Sequence, residues 1–389
     1  MSEKENFTPP SLLSLFLSFL RLGATSFGGP AMIAYIRKMA VEEKKWISEE
    51  TFRTGLALCQ TVPGATAMQT TAYVGLKIRG IAGALASFTG FALPAFLIMM
   101  ILSGLYQISH NLPAVISGFN GLQVTVIAII GSATFSIGKT YLKNWKDVSL
   151  AVFAAILYGS GVNPFYVILS MALTGIIVYY REASEEIKST STEDRPSIRD
   201  FLMLLYLLAL LFILLFFFHR RLFELAILMF RIDLFAFGGG FASLPLMLYE
   251  IVKLRSWMDE TTFMNGIALG QVTPGPIIIT STFTGYILYG PIGGLIATIS
   301  VFSPSFLIVT GIEPWFNSLR RSSWFNKAIK GILSSFVGLL LVTTLRFGLN
   351  IPWDLLRIII TLAAFISLMF KVDILWVVLA GGIISVFLL

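Results

Sequence analysis

Two arginines lie inside apolar runs, Arg21 in SFLRLG and Arg231 in LMFRID, and each stands six residues ahead of a Phe-Gly-Gly. The first reads Phe27-Gly28-Gly29-Pro30 and the second Phe237-Gly238-Gly239-Gly240. An arginine in apolar surroundings costs roughly 2.5–3.5 kcal/mol at mid-helix on insertion scales, so its position marks a cavity or a partner. Its planar guanidinium grips an oxyanion through two parallel hydrogen bonds. The glycines break a helix, and Pro30, which lacks an amide hydrogen, can start the next one. A helix start beside a glycine turn offers unpaired N–H groups and about half a positive charge to an anion. Two blander readings stand beside this one. Small residues also serve close helix crossings, and the arginines could snorkel or pair with an acid such as Glu49 or Glu260.

A second type of break follows each glycine pair, as Gln60-Thr61-Val62-Pro63-Gly64 and as Gln271-Val272-Thr273-Pro274-Gly275. Gln60 and Gln271 supply neutral amides, and Thr66, Gln69, Thr70, Thr280, Ser281 and Thr282 add polar groups suited to an oxyanion bound without full neutralisation. The alternative is a proline kink with hydroxyls bonded back to the helix. Asp233 is the carboxylate placed to couple a proton or cation, and its counterpart in the first copy is Gly23. Glu49 and Glu260 are acidic twins beside Trp46 and Trp257. They are expected at loop edges, capping helices or paired with bases, with gating as the functional reading. Histidine-rich motifs and carboxylate pairs are missing from the spans, which argues against a membrane enzyme; two distant histidines and one cysteine exclude a zinc, haem or disulfide framework, so no metal or cofactor is expected.

These elements recur in one order about 210 residues apart: Gly75, Gly80, Gly83 and Pro94-Ala95-Phe96-Leu97 return as Gly285, Gly290, Gly293 and Pro304-Ser305-Phe306-Leu307. The chain is an internal duplication, the mark of transporters built from two related halves with the site between them. Its 389 residues are 56% hydrophobic and 13% charged with a mean hydropathy of +0.83, and apolar runs near helical length recur throughout. The fold class is therefore all-α, a polytopic helical membrane protein embedded in a lipid bilayer. The net charge of +7 fits cytoplasmic loops and not nucleic acid.

Six spans are expected in the first half, at 11–36, 56–78, 81–106, 118–138, 148–161 and 164–180. A charged Ser/Thr-rich linker follows at 181–200, then an extra helix at 201–218, then six more spans at 223–249, 267–289, 292–316, 332–349, 355–370 and 372–389. The domains are thus a first repeat at 1–185, a linker plus extra helix at 186–219 and a second repeat at 220–389. About thirteen spans, with an odd number between equivalent points, turn the second repeat upside down. The first ten residues show no cleavable leader, and basic residues near the span ends favour a cytoplasmic N-terminus. Arg37, Lys38, Lys44, Lys45 and Arg53 are the exception, since a first full span would send their loop outward.

The chain resembles the chromate ion transporter family in its long, two-repeat form. Phe27-Gly28-Gly29-Pro30, Trp46-Ile47-Ser48-Glu49-Glu50 and Pro63-Gly64 are similar to that family's N-terminal motifs, and Phe237-Gly238-Gly239 with Gln271-Val272-Thr273-Pro274-Gly275-Pro276 to its C-terminal ones. The resemblance implies an exporter of chromate in the plasma (inner) membrane, with sulfate as the isosteric relative. The functional expectation is a secondary transporter of a small inorganic oxyanion, alternating access around Arg21, Arg231 and the helix breaks. An anion channel using the same site is the rival. A dianion leaving an inside-negative cell gains about 4.6 kcal/mol per 100 mV, so export needs no coupled ion. A homo-oligomer is compatible with this reading, though the sequence does not dictate one.

Overall fold

The computed structural model describes residues 9–181 and 198–388, so most of the 181–200 linker lies outside the described residues. Sixteen α-helices follow in order: α1 (Leu12–Thr25), α2 (Gly29–Arg37), α3 (Glu49–Thr61), α4 (Thr66–Ser109), α5 (Pro113–Tyr141), α6 (Trp145–Gly159), α7 (Pro164–Val178), α8 (Ile198–Phe218), α9 (Arg220–Leu234), α10 (Ser243–Met247), α11 (Glu260–Val272), α12 (Thr280–Ile312), α13 (Phe316–Arg321), α14 (Ser323–Leu349), α15 (Leu355–Met369) and α16 (Ile374–Leu388). Single-turn π segments extend α2 (Lys38–Glu43) and α10 (Leu248–Leu254). Caps sit at matched places in the two repeats. Ser48 accepts from the Thr51 amide ahead of α3 as Asp259 does from Thr262 ahead of α11, and Asn144 caps α6 as Asp354 caps α15.

The all-α membrane architecture with broken helices holds, but the apolar segments are distributed differently from the thirteen expected spans. Among the described residues five stretches are long and apolar enough to cross a membrane, Thr66–Ser109, Pro113–Tyr141, Arg199–Phe218, Ile277–Trp315 and Ser323–Leu349, the first and fourth counted across the kinks at Gly80 and Gly290. Leu12–Thr25, Pro164–Val178, Leu355–Met369 and Ile374–Leu388 are shorter apolar helices. The segment expected as one kinked span at 56–78 is a hairpin, because a Cβ on Gly55 in α3 would strike the Tyr73 ring in α4, on opposite sides of the Pro63-Gly64 tip. Gly266 in α11 meets the Phe283 ring in α12 in the same way about Pro274-Gly275. Tight turns at Arg79-Gly80 and Tyr289-Gly290, with both glycines at positive φ, then reverse the chain inside α4 and α12. Around them Gly75 packs on Gly83 and Gly285 on Gly293, close enough that neither pair has room for a Cβ. Each arm of 13 residues is about 20 Å long, two thirds of a hydrocarbon core near 30 Å.

The first expected span is also an arm that returns. The Pro10 carbonyl accepts from Arg79 Nε at 2.8 Å, and Arg37 Nε donates to Glu49 at 3.1 Å, so both ends of the α1–α2 unit share one face with the turn at Arg79. Arg37, Lys38, Lys44, Lys45 and Arg53 therefore lie on the same face as the start of α1, and the exception in the charge pattern disappears. In repeat two Arg231 reaches back to Glu250 across the corresponding break.

The repeats are inverted, as their contacts show. Lys77 pairs with Glu313, the Phe88 ring lies 5.1 Å from that of Phe306, and Met100 touches Gly294, so numbers rise along α4 as they fall along α12. Equivalent helices thus run antiparallel about an axis perpendicular to them. The halves are also interlaced. α14 of the second repeat packs against the α6–α7 hairpin of the first, while α5 of the first packs against α15 and α16 of the second. Small residues permit these crossings: a Cβ on Gly338 would meet the Ala151 carbonyl at 2.1 Å, and one on Gly121 would meet Ser385 at 2.2 Å.

Candidate functional site

Four helix breaks converge where the repeats meet. The α1 break exposes the Ser26 carbonyl, which accepts from the Gly275 amide at 2.9 Å, and the α9 break exposes the Ala236 carbonyl, which accepts from the Gly64 amide at 3.0 Å. Each hairpin tip is thereby docked in the other repeat's break. Gly64 at φ 123° and Gly275 at φ 102° hold the two tips in turns that L side chains rarely adopt. A Cβ on Gly240 would sit 3.1 Å from Ile277 of the second tip, and one on Gly239 would sit 3.5 Å from Thr66 Oγ1 of the first.

Gly28, Gly238 and Gly239 all have positive φ, are half-buried, and make no amide hydrogen bond among the described residues. α2 begins at Gly29 with Pro30 in its first turn, directly after this turn in the chain. Phe27 and Phe237 flank the glycines and are half-buried. Short hairpin ends close the space from the sides. The Phe165 ring at the start of α7 lies 5.1 Å from Phe235, and Ile374 at the start of α16 comes within 4.0 Å of a Cβ placed on Gly28.

The two tips differ in chemistry. Asp233, fully buried, accepts from the Ser305 hydroxyl at 2.7 Å and from its amide at 2.8 Å, and the same hydroxyl oxygen accepts from the Ala65 amide at 2.9 Å. The first tip is thus tied to a carboxylate through Ser305. Gln69 Nε2 donates to the Pro63 carbonyl at 2.6 Å and steadies it further. The equivalent positions around the second tip are Gly23 and Ala95, and the nearest neighbour of a Cβ on Gly275 would be Ala95 Cβ at 3.0 Å. Buried polar atoms without a partner among the described residues cluster here: Ser26 Oγ, Gln69 Oε1, Asp233 Oδ1 and Gln271 Nε2. Such atoms carry a desolvation cost that a bound polar ligand or water would relieve.

The remaining expected residues fall elsewhere. Arg231 does not stand free for an anion: it forms an ion pair with fully buried Glu250, which Arg255 also contacts, and its guanidinium lies 4.4 Å from the Phe165 ring centre. Neither Glu49 nor Glu260 is its partner. Arg21 is exposed on α1 and makes no ion pair among the described residues, so the two arginines differ in their partners. Gln60 is exposed on α3, whereas its twin Gln271 is buried. Pro63 and Pro274 form the tips themselves. Glu49 bonds Arg37, which holds its carboxyl below the usual carboxylate range, and Glu260 accepts from Arg346 at 3.1 Å. Both lie at the ends of hairpin arms, away from the breaks. Glu250 escaped the sequence reading, although a lone acid in LPLMLYEIVKL was a visible signal. Ser26 was hidden by its ordinary type.

Comparison with known proteins agrees with the division into two repeats. The profile of the family described as chromate transporter matches residues 13–176 and 223–386, once for each repeat. The chain is 43% identical to an uncharacterised transporter of Methanocaldococcus jannaschii over all of its own length and 96% of that protein. It is 29% identical to a chromate transport protein of Pseudomonas aeruginosa, covering 87% of this chain and 81% of that one, and 26% identical to a chromate transport protein of Cupriavidus metallidurans, covering 90% and 86%. No solved structure matches the chain. Two profile matches in inverted, interlaced repeats, and transport proteins aligned over most of their length, lead to one conclusion: the chain belongs to the chromate transporter family.

Proposed function

We propose that this protein exports a small tetrahedral oxyanion, chromate or the isosteric dianion sulfate, across the plasma membrane by secondary transport. The observation that carries the reading is the set of unpartnered glycine amides, Gly28, Gly238 and Gly239, where four breaks converge. Backbone N–H groups solvate a dianion without committing a full opposite charge, so the anion can bind and still leave. Gly240 and the tips at Gly64 and Gly275 shape that space, and Gln271 Nε2 is a further donor for it. Arg21 serves as an uncommitted positive charge along the approach. Arg231 sets the geometry of the second break through Glu250 and does not hold the substrate.

Orientation follows from charge. The face holding the start of α1 also carries Arg37, Lys38, Lys44, Lys45, Lys139 and Lys143, which favours a cytoplasmic N-terminus. Outward movement of a dianion then runs with the membrane potential, at about 4.6 kcal/mol per 100 mV. Asp233 is the group available for coupling, since its bonds to Ser305 and thence to the first tip depend on its charge. Radiolabelled chromate and sulfate flux in proteoliposomes under an imposed potential tests the proposal. Saturable flux that is accelerated by anion on the far side is expected. Flux that neither saturates nor exchanges would make the protein a channel, and no flux of either anion would end the oxyanion reading.

A further inference from the structure

The two hairpins are alike in fold but not in surroundings. In the second repeat α11 packs against α5 and α16, and every residue from Phe263 to Gln271 is buried. The elements equivalent to α5 and α16 are α14 and α7, yet among the described residues α3 packs closely against α4 alone. One stripe of α3 is left uncovered, at Glu50, Arg53, Ala57 and Gln60, spaced by three or four residues; only Ala57 is half-buried and the rest are exposed. The counterparts of the last three, Met264, Ala268 and Gln271, are all buried. Gln60 stands roughly 17 Å along the arm from Glu49, beside the Pro63-Gly64 tip. An amide turned to hydrocarbon at that depth would go unsatisfied, so the stripe belongs to water and not to lipid.

The covered side is also tied. Gln123 Nε2 in α5 donates to Asn265 Oδ1 in α11 at 2.8 Å, and Asn265 Nδ2 donates to the Tyr106 hydroxyl of α4 at 3.2 Å. The Tyr106 ring meets Phe119 of α5 and Phe283 of α12 edge-on, each at 5.2 Å. Roughly 40 Å of helix separates Tyr106 from the turn at Gly80, so this chain lies toward the face opposite the start of α1. Its counterparts in the other repeat are Leu333, Thr54 and Phe316, two of which have no polar side-chain group. The backbone is duplicated, but the tie is not.

We infer that this is the conformer open to the N-terminal face: water reaches the first tip past Arg53 and Gln60, while the Gln123–Asn265–Tyr106 chain is the gate that shuts the second tip from the other side. The inference rests on the transport reading above and adds to it which side is open and what closes the other. Inverted repeats supply the return state, since α3 docked on α14 and α7 as α11 docks on α5 and α16 would exchange the two sides. Such a gate is weak enough to open, because one hydrogen bond of this kind shifts an equilibrium about two- to tenfold.

The test is thiol accessibility in membrane vesicles holding the full chain without Cys59. Ala57→Cys and Ala268→Cys are matched probes of the two arms, and Gln60→Cys is a second probe of the open one. A membrane-impermeant, anionic methanethiosulfonate is applied to right-side-out or inverted vesicles, with Ser48→Cys to mark the N-terminal face and to show that each variant is inserted. Ala57→Cys and Gln60→Cys should react from that face only, and Ala268→Cys should resist from both. Adding Tyr106→Phe, which removes one hydroxyl, or Gln123→Leu, which installs the residue of the other repeat, should raise labelling of Ala268→Cys from the opposite face about two- to tenfold. If Ala57→Cys and Gln60→Cys react from neither face, α3 lies against lipid and the inference is overturned. It is likewise overturned if Ala268→Cys reacts as fast as Ala57→Cys, or if the gate variants leave its labelling unchanged while Ser48→Cys still reacts. These readouts need no transport to occur; wild type that carries neither sulfate nor chromate would instead sink the transport reading itself.

Discussion

The tie between Asp233 and Ser305 can be measured by itself. Ser305→Ala removes the hydroxyl that donates to Asp233 at 2.7 Å and accepts from the Ala65 amide at 2.9 Å. A hydrogen bond to a carboxylate is worth about 1.5–3 kcal/mol, and a buried amide left without its acceptor costs about 1–3 kcal/mol more. The substitution should therefore destabilise the protein by about 3 kcal/mol, although alanine is the residue that the first repeat already carries at Ala95. Asp233→Ala should cost a similar amount, but both changes together should cost well under the sum, with a coupling of about 2 kcal/mol. Ala95→Ser is the control. It adds a hydroxyl beside Gly275 where Gly23 offers no acid, and so should gain nothing. Unfolding by sodium dodecyl sulfate in mixed micelles, followed by the fluorescence of the 7 tryptophans, gives all four values. A coupling below about 0.5 kcal/mol, the scatter of independent sites, would refute the tie.

Gly28→Ala and Gly239→Ala should each lower flux more than tenfold while the protein still inserts, because a methyl at either meets only ordinary van der Waals contacts but a φ near +76° and +99° that alanine resists; normal flux in stable variants would return these glycines to a packing role. Arg231→Gln should cut flux by unbalancing buried Glu250, and adding Glu250→Gln should restore most of it; failure of that rescue in a folded double variant would put Arg231 back on the substrate. In a background lacking Cys59, cysteines at Ser11 and Ser48 should react with an impermeant reagent from one face and a cysteine at Asp259 from the other. Opposite labelling of the first two would contradict the returning α1–α2 unit.

Much of this candidate site is legible in the sequence. The glycine pairs, the Pro-Gly tips and Asp233 all lie at the convergence of the repeats, because they are the residues whose backbone demands or burial costs resist drift. What could not be read was whether a Pro-Gly break continues a span or reverses it, since Pro63-Gly64 suits both. The resolving signal was Gly75 with Gly83 about Arg79, and Gly285 with Gly293 about Tyr289: small residues placed evenly around a turn are what touching hairpin arms require. The arginines misled for a different reason. Arg21 and Arg231 occupy equivalent positions, but Glu250 lies within reach of only one, and such a partner is set by tertiary packing that no spacing along the chain reveals.

The exchange of hairpins between repeats has a consequence for synthesis. α5 leaves the ribosome early, yet the helices that cover it, α15 and α16, end at Leu388, roughly 250 residues later. At about 5–20 residues per second that is a wait of roughly 12–50 s. Throughout it the face containing Gly121 has only lipid, the insertion machinery or another unfinished chain to lie against. The nascent first half is thus an open clasp, and a neighbouring nascent chain could supply α15 and α16 as well as its own. Chains stalled after Tyr180 should accumulate as loosely packed, protease-sensitive helices, and co-expression of the missing half should rescue them in trans.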